Sequence, residues 1–448
     1  MNDKEILTKI GIKDLSFDFL NVSQLVKRGI IEKPLDGNHG EIHPKSEDFV
    51  DSGIPFIMAS DVNNGVVDYI NCKFITKKHA DSLRKGFARN RDVLLTHKAT
   101  IGRTAIVKYD AQPYVMLTPQ VTYYRVQDHQ KLNRWYLRYF FESSFFQSIL
   151  SLWAGSGSTR AYLGITEQGK LPFVLPPIDK QKKIAAILSA YDDLIENNQR
   201  RIALLEKMAE EIYREWFVRL RFPGHEKVKV IKGVLEGWEL VKLEHAFKFT
   251  GGGTPAKEVG SYWNGGDVNW FTPSDITGAD GIFLGNSGEQ CTEDGVNNSS
   301  AKIFPAYSVM LTSRATIGAI GINLTPACTN QGFITCIPNV RYPLPYLYHW
   351  IKLAKPNFEL LAVGATFAEL TKGTFKRIEI LTPPEQIVSE FSRITSPLFE
   401  TIENYLRANK KLIEIRDKLL PRLISGKLSV EHLDIRFPPG MEESAHEI

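Results

Sequence analysis

"KATIGRTAIV", Lys98–Val107, returns in altered form as "RATIGAIGIN", Arg314–Asn323. A basic residue followed by Ala-Thr-Ile-Gly, met twice in one chain, points to a duplicated unit, and the flanking blocks extend the repeat. "IPFIMASDV" (Ile54–Val62) answers to "VNWFTPSDI" (Val268–Ile276), each an apolar run that leaves through Ser-Asp. "LTPQVTYYRV" (Leu117–Val126) answers to "CTNQGFITCI" (Cys328–Ile337), sharing Thr-x-Gln ahead of an apolar strand. "VLPPIDKQKKI" (Val174–Ile184) answers to "ILTPPEQIVSEF" (Ile380–Phe391), and each Pro-Pro opens a long helical pattern. With these prolines superposed the offset is 207 residues, and Ile195-Glu196-Asn197 falls on Ile402-Glu403-Asn404. The blocks keep their order. Short solenoid repeats run at about 20–50 residues, so a period this long means duplication of a whole domain.

The helical segments carry the clearest periodicity. In the first, Ile184, Leu188, Tyr191, Ile195, Asn198, Ile202, Leu205, Ala209, Ile212 and Trp216 step alternately by four and three, the a/d seam of a coiled coil. In the second, Phe391, Ile394, Leu398, Ile402, Tyr405, Asn409, Leu412, Leu419 and Leu423 form a less regular seam, interrupted by Arg416. Neither stripe is stable in water alone, so the two helices are expected to pack on each other in antiparallel fashion. Asn198 and Asn409 either fix their register or sit at a solvated seam edge. Pro177 and Pro384 suit helix starts. Pro397 predicts a bend, and Pro421 a last turn that Gly426 stops.

The expected fold is therefore a pseudo-twofold tandem of mixed α/β (α+β) domains with a pair of long antiparallel coiled-coil helices. The ranges are 1–175 and 221–380 for the globular parts, 176–220 and 381–430 for the helices, and 431–448 for a tail. About 35 helical residues span roughly 50 Å, close to about fifteen base pairs of duplex DNA.

Composition bounds the function class. At 448 residues the chain exceeds one ordinary core. Fifty-five Lys and Arg against fifty-one Asp and Glu permit DNA binding without demanding it; a DNA-binding chain of this charge needs its basic groups concentrated on one face, or partner subunits that supply part of the phosphate neutralisation. Cys72, Cys291, Cys328 and Cys336 include no C-x-x-C pair or zinc spacing, which predicts reduced thiols and no structural metal. A charged N-terminus and the absence of a bilayer-length apolar run predict a cytoplasmic protein without a membrane partner.

No motif carries catalysis. The Pro-Pro pairs lack the Asn and aromatic residue of an adenine-methylation site. "GITEQGKL" (Gly164–Leu171) puts Leu171 where a P-loop needs a hydroxyl. His39 and His43 lie in a glycine-punctuated loop, not on a helix face that could bind metal. What remains is a set of candidate DNA contacts on turns after apolar strands: Lys98, Thr100 and Arg103 in the first half, and Ser313, Arg314 and Thr316 beside Thr312 in the second. Asn38 and His39, the polar loop "GSGSTR" with Ser156, Ser158 and Arg160, and Thr254 and Thr366 complete it. The Thr-Ile-Gly itself reads as a tight turn.

The order of these blocks resembles the specificity (HsdS) subunit of type I restriction-modification systems. The resemblance rests on "GWELVKLEHAFKFTGGGTPAKEVGSYWNGGDVNWFTPSDI", "RATIG", "LPPIDKQKKIAAIL", "LTPPEQ" and "KLLPRLISGKL", and it covers nearly the whole chain. It implies that each globular part reads one half of a bipartite, asymmetric double-stranded DNA site. The helices would set the unread spacer and dock two methyltransferase subunits. S-adenosylmethionine, ATP and Mg would belong to the methyltransferase and restriction/translocase partners, and this chain would bind no cofactor and catalyse nothing. One departure stands out. The first half lacks the opening Gly237-Trp238-Glu239 and begins instead with "FDFLNVSQLVKRGIIEKPLDGNHGEIHP". The rival reading is a twin-domain protein-interaction scaffold with a coiled-coil rod and no DNA recognition.

Overall fold

A computed structural model describes residues 12, 17–155, 161–231, 233–364, 368–438 and 441. The chain divides into two units, Met1–Ile195 with Lys411–Ile448, and Glu196–Lys410. Each unit thus takes a globular part and a stretch of both long helices.

In the first unit the elements that position the loops are β1 (Asp18–Asn21), α1 (Val22–Lys27), β2 (Leu35–Asp36), β3 (Val93–Lys98), β4 (Thr100–Ile106), β5 (Val121–Tyr124), α2 (Arg134–Glu142), β6 (Pro172–Leu175) and the long α3 (Ile178–Tyr213). An antiparallel sheet runs β4-β3-β5-β2. β3 reads as a continuous buried run because both of its faces are covered. A second sheet orders Phe49–Val50, Lys73–Ile75, Ile54–Ile57, Val115–Leu117 and Phe87–Ala88, with Ile54–Ile57 parallel to Val115–Leu117.

In the second unit the corresponding elements are β7 (Glu239–Lys242), α4 (Leu243–Ala246), β8 (Phe249–Gly251), β9 (Phe283–Leu284), β10 (Val309–Thr312), β11 (Ile320–Asn323), β12 (Phe333–Cys336), α5 (Leu344–Leu353), β13 (Glu379–Thr382) and the long α6 (Glu385–Ile424). Its main sheet runs β8-β12-β10-β11-β9. The first four strands repeat β2-β5-β3-β4. Val268–Phe271 pairs in parallel with Ala327–Thr329, as Ile54–Ile57 does with Val115–Leu117. The Ser-Asp exits have a local cause: Asp61 Oδ2 accepts from Met58 N at 2.8 Å, and Asp275 Oδ2 from Thr272 N at 2.6 Å, each capping the turn that follows.

The missing Gly-Trp-Glu does not change the fold. β1 pairs antiparallel with β6, and β7 with β13, in the same register: Asp18 faces Leu175, and Glu239 faces Thr382, 207 residues on. The first half therefore enters its domain on an equivalent strand whose sequence has drifted. α3 and α6 begin directly after Pro176-Pro177 and Pro383-Pro384, as expected.

α6 runs for 40 residues through Pro397, and Pro421 falls in its last turn with Gly426 just beyond at φ 69°, as expected. Other helical details differ from expectation. α3 ends in a π-turn, Arg214–Val218, that buries Trp216. Ile184, Leu188, Ile195 and Ile202 are buried as the seam predicts, as are Phe391 and Ile402, whereas Tyr191, Leu205, Ile212, Ile394, Leu398, Leu412 and Leu419 are half-buried. Full burial falls one residue later at Tyr213, Thr395, Phe399 and Leu420. These helices pack against a globular core as well as against each other, which requires a wider apolar face than an a/d seam. The helices are antiparallel: in the second unit Asn198 bonds Asn409, Arg201 bonds Tyr405 and Tyr213 packs on Phe391. Beyond α6, Val430, Ile435, Phe437 and Met441 join the core of the first unit.

Candidate nucleic-acid interface

The same three loops meet at the same end of the main sheet in both units. The middle one is the Thr-x-Gln loop that enters β5 or β12. On one side the chain leaving β3 or β10 bonds it, His97 N to Gln120 O at 2.9 Å and Ser313 N to Gly332 O at 2.7 Å. On the other side a glycine loop bonds it, Gly37 N to Thr118 O at 3.2 Å and Gly253 N to Thr329 O at 2.9 Å. Glycine is needed here for close approach. A Cβ on Gly37 would stand 1.8 Å from the Leu117 carbonyl, and one on Gly252 would stand 1.9 Å from that of Asn330.

The basic turn has one geometry in both copies. Ala99 and Ala315 lie at φ 65° and 57°, Gly102 and Gly318 at 86° and 88°. Its closing bond is also shared: Arg103 N donates to Thr96 Oγ1 at 3.0 Å, and Ala319 N donates to Thr312 Oγ1 at 2.9 Å. A left-handed alanine is disfavoured by about 1–2 kcal/mol, so the surroundings must enforce it. They do so through a crossing segment, with Leu163 N bonded to His97 O and Leu370 N to Ser313 O. This crossing lifts the basic side chain outward beside one neighbour. Lys98 Nζ lies 5.8 Å from the Tyr162 ring centre, and Arg314 Nε lies 2.9 Å from Glu369 Oε1. Tyr162 and Glu369 are 207 residues apart, so one position supplies the partner in both units.

The expected contacts divide clearly. Lys98, Arg103, Arg314, Thr316, Thr254 and His39 are exposed, and Thr100 is half-buried. His39 Nε2 lies 2.7 Å from Asp36 Oδ2, and Lys85 also pairs with Asp36. Asn38 and Ser313 are buried instead. Asn38 is buried, donating from Nδ2 to Lys85 O at 2.6 Å and accepting from Arg84 N at 3.0 Å, so it shapes the loop and does not face a ligand. Ser313 is 3% exposed, held by its backbone on both sides. Ser156, Ser158, Arg160 and Thr366 lie outside the described residues.

Two side chains in the cluster were missed. Gln120 and Gln331 sit on the middle loop, and the Oε1 of Gln331 accepts from Thr254 Oγ1 at 2.7 Å. Their signal in the sequence is the repeated Thr-x-Gln, which by itself marks only the approach to an apolar strand. Beneath the turn of the first unit, burial pushes the His97 imidazole down to about 4, outweighing Asp36 and the Leu163 carbonyl that its Nδ1 meets at 2.9 Å. Among the described residues, no three His, Cys, Asp or Glu side chains are grouped to hold a metal, and no helix is long and apolar enough to cross a membrane.

The type I restriction modification DNA specificity domain matches this chain twice, over residues 29–207 and 235–414. The chain belongs to that specificity family. Among its relatives, the MjaIX specificity subunit of a type I restriction enzyme from Methanocaldococcus jannaschii is 32% identical over 401 residues, 87% of this chain and 90% of its own. The HindI specificity subunit from Haemophilus influenzae is 26% identical over 319 residues, 57% of this chain and 68% of its own. The crystal structure of a type I restriction-modification S subunit from M. genitalium shares the fold, with a TM-score of 0.54 over 91% of this chain and 96% of that one at 16% identity. As a specificity-family chain it supplies DNA-sequence specificity to a restriction-modification complex. The protein-scaffold reading is not favoured.

Proposed function

We propose that each unit reads one half of a bipartite, asymmetric site in double-stranded DNA through its three-loop cluster, and that α3 and α6 set the unread spacer. The observation that carries this reading is the basic turn, built twice with the same left-handed alanine and glycine and each time presenting an exposed Lys or Arg beside a glutamine loop. Residues shared by two units that read different half-sites meet what all DNA shares, so Lys98 and Arg314 are phosphate contacts, with Gln120 and Gln331 beside them. Base selection belongs to the neighbours that differ between the units, His39 against Thr254 foremost.

The chain is non-catalytic in this reading. Two methyltransferase subunits dock on the helices and transfer methyl groups from S-adenosylmethionine to adenine, and restriction/translocase subunits bring ATP- and Mg-dependent cleavage. Co-expression with a cognate methyltransferase, followed by mapping of methylated adenines, tests it. A two-part motif with a fixed gap is expected; methylation of one contiguous motif, or none, rejects it. Shortening both helices by a matched heptad is expected to shorten the gap.

A further inference from the structure

The joint between globular part and long helices is duplicated, but its chemistry is not. Tyr136 on α2 donates to Val174 O at 2.9 Å and Tyr346 on α5 to Leu381 O at 3.1 Å, carbonyls 207 residues apart, which aligns the two helices residue by residue. The helix position they face is Asp192 in the first unit and Phe399, 207 residues on, in the second. Around Phe399 the joint is aromatic, with Tyr348 and His349 rings each 5.6 Å from it. Around Asp192 it is ionic.

Asp192 is the hub. Arg138 Nη1 lies 2.9 Å from its Oδ2, the Tyr139 hydroxyl donates to the same oxygen at 2.6 Å, and Arg416 of α6 donates to Oδ1 at 2.7 Å. Burial alone would raise this carboxyl, but Arg138, Tyr139 and Arg416 outweigh it and hold the group below its usual range. Arg138 is itself buried, its guanidinium lying where a Cβ on Gly65 would come within 2.2 Å. From Arg138 the network continues at 3.0 Å to Glu142, which accepts from the Thr104 hydroxyl. Thr104 lies on β4, the strand that leaves the Lys98 turn. A cavity of about 370 Å³ lined by Gly102, Arg103, Thr104, Glu142 and Arg416 opens beside this chain, so on that side directed bonds supply support that close packing does not.

We propose that Asp192 is a positioning residue for DNA reading by the first unit, holding β4 and its basic turn in one orientation against α3 and α6. The inference rests on the reading of the loop clusters as DNA-binding. Its test uses the complex with a cognate methyltransferase and duplexes altered in one half-site at a time. Asp192→Asn is expected to reduce discrimination at one half-site by about tenfold and to leave the other unchanged. Thr104→Val, which keeps the volume of the side chain, is expected to give a smaller loss at the same half-site. Wild-type discrimination in both variants overturns the proposal, as does equal loss at both half-sites with Thr104→Val silent. Amide exchange needs no DNA: residues 134–142 should exchange about tenfold faster in Asp192→Asn and residues 344–353 should not change. Unchanged exchange at 134–142 overturns the joint itself, whereas a wild-type complex that distinguishes no half-site overturns only the DNA reading.

Discussion

Asn198 Nδ2 donates to Asn409 Oδ1 over 2.8 Å, with both side chains buried between α3 and α6 in the second unit. A buried amide pair on an apolar seam bonds across it in one register only, because a slipped helix breaks that bond where water does not replace it. Asn198→Ala is expected to lower stability by about 1–3 kcal/mol, because the buried Oδ1 of Asn409 loses the donor across the seam. The double change Asn198→Leu with Asn409→Leu should recover that loss while broadening helix register, read as mixed cross-link positions between engineered cysteine pairs. Recovery with a single register would show that the amides do not set it.

The left-handed alanines give a second test. Ala99→Gly and Ala315→Gly relieve backbone strain, and each should raise stability by up to about 1 kcal/mol after the entropic cost of glycine. Gly102→Ala should lower it by more than about 1 kcal/mol, because a side chain at φ 86° is strained and Gln147 would also have to move aside. Thermal unfolding of the three variants decides, and a destabilised Ala99→Gly would contradict the strain argument.

Arg314→Ala should leave folding almost intact, since the half-exposed ion pair with Glu369 contributes below about 1 kcal/mol. Affinity for DNA should fall for all sequences alike, and the slope of log K against log salt should shrink by about 1. Lys98→Ala should do the same. A loss confined to one base pair would reassign either residue to base reading.

Two buried histidines set the acid limit of the fold. Burial lowers His97 to about 4, and it lowers His349, stacked on Tyr213, to about 4 as well. In the unfolded chain both titrate near about 6.5, so below that pH the unfolded state takes up protons that the native state refuses. Stability is therefore complete above about pH 6.5 and falls as pH drops towards 4, by up to about 3 kcal/mol for each histidine. Unfolding midpoints from pH 7 to 4 measure this. His97→Asn keeps a donor for the Leu163 carbonyl and should flatten the curve, and an unchanged slope would remove His97 from the account.

Much of this was legible in the sequence because periodicity and repetition survive duplication. The Pro-Pro helix starts, the continuous apolar strands and the Lys/Arg-Ala-Thr-Ile-Gly turn are local signals, and they fall where the local physics puts them. Others depend on contacts distant in the chain. That Asn38 is buried follows from the backbone of Arg84 and Lys85 reaching it, and nothing near position 38 announces this. Tyr162 and Glu369 share a position but no chemistry, so only the superposed strands reveal them as equivalents. The opening strand β1 shares no motif with β7, although its register is the same.

The unlike joints limit how such chains can be recombined. A globular part moved from the first unit to the second would set Arg138 against Phe399, taking Asp192 from a buried guanidinium and leaving it Glu142 alone. Exchange between halves succeeds only if the crossover lies beyond Asp192 and a matching arginine stands on the opposing helix, where the second unit has Ala209 in place of Arg416. New specificities built by shuffling must travel with their own hinge.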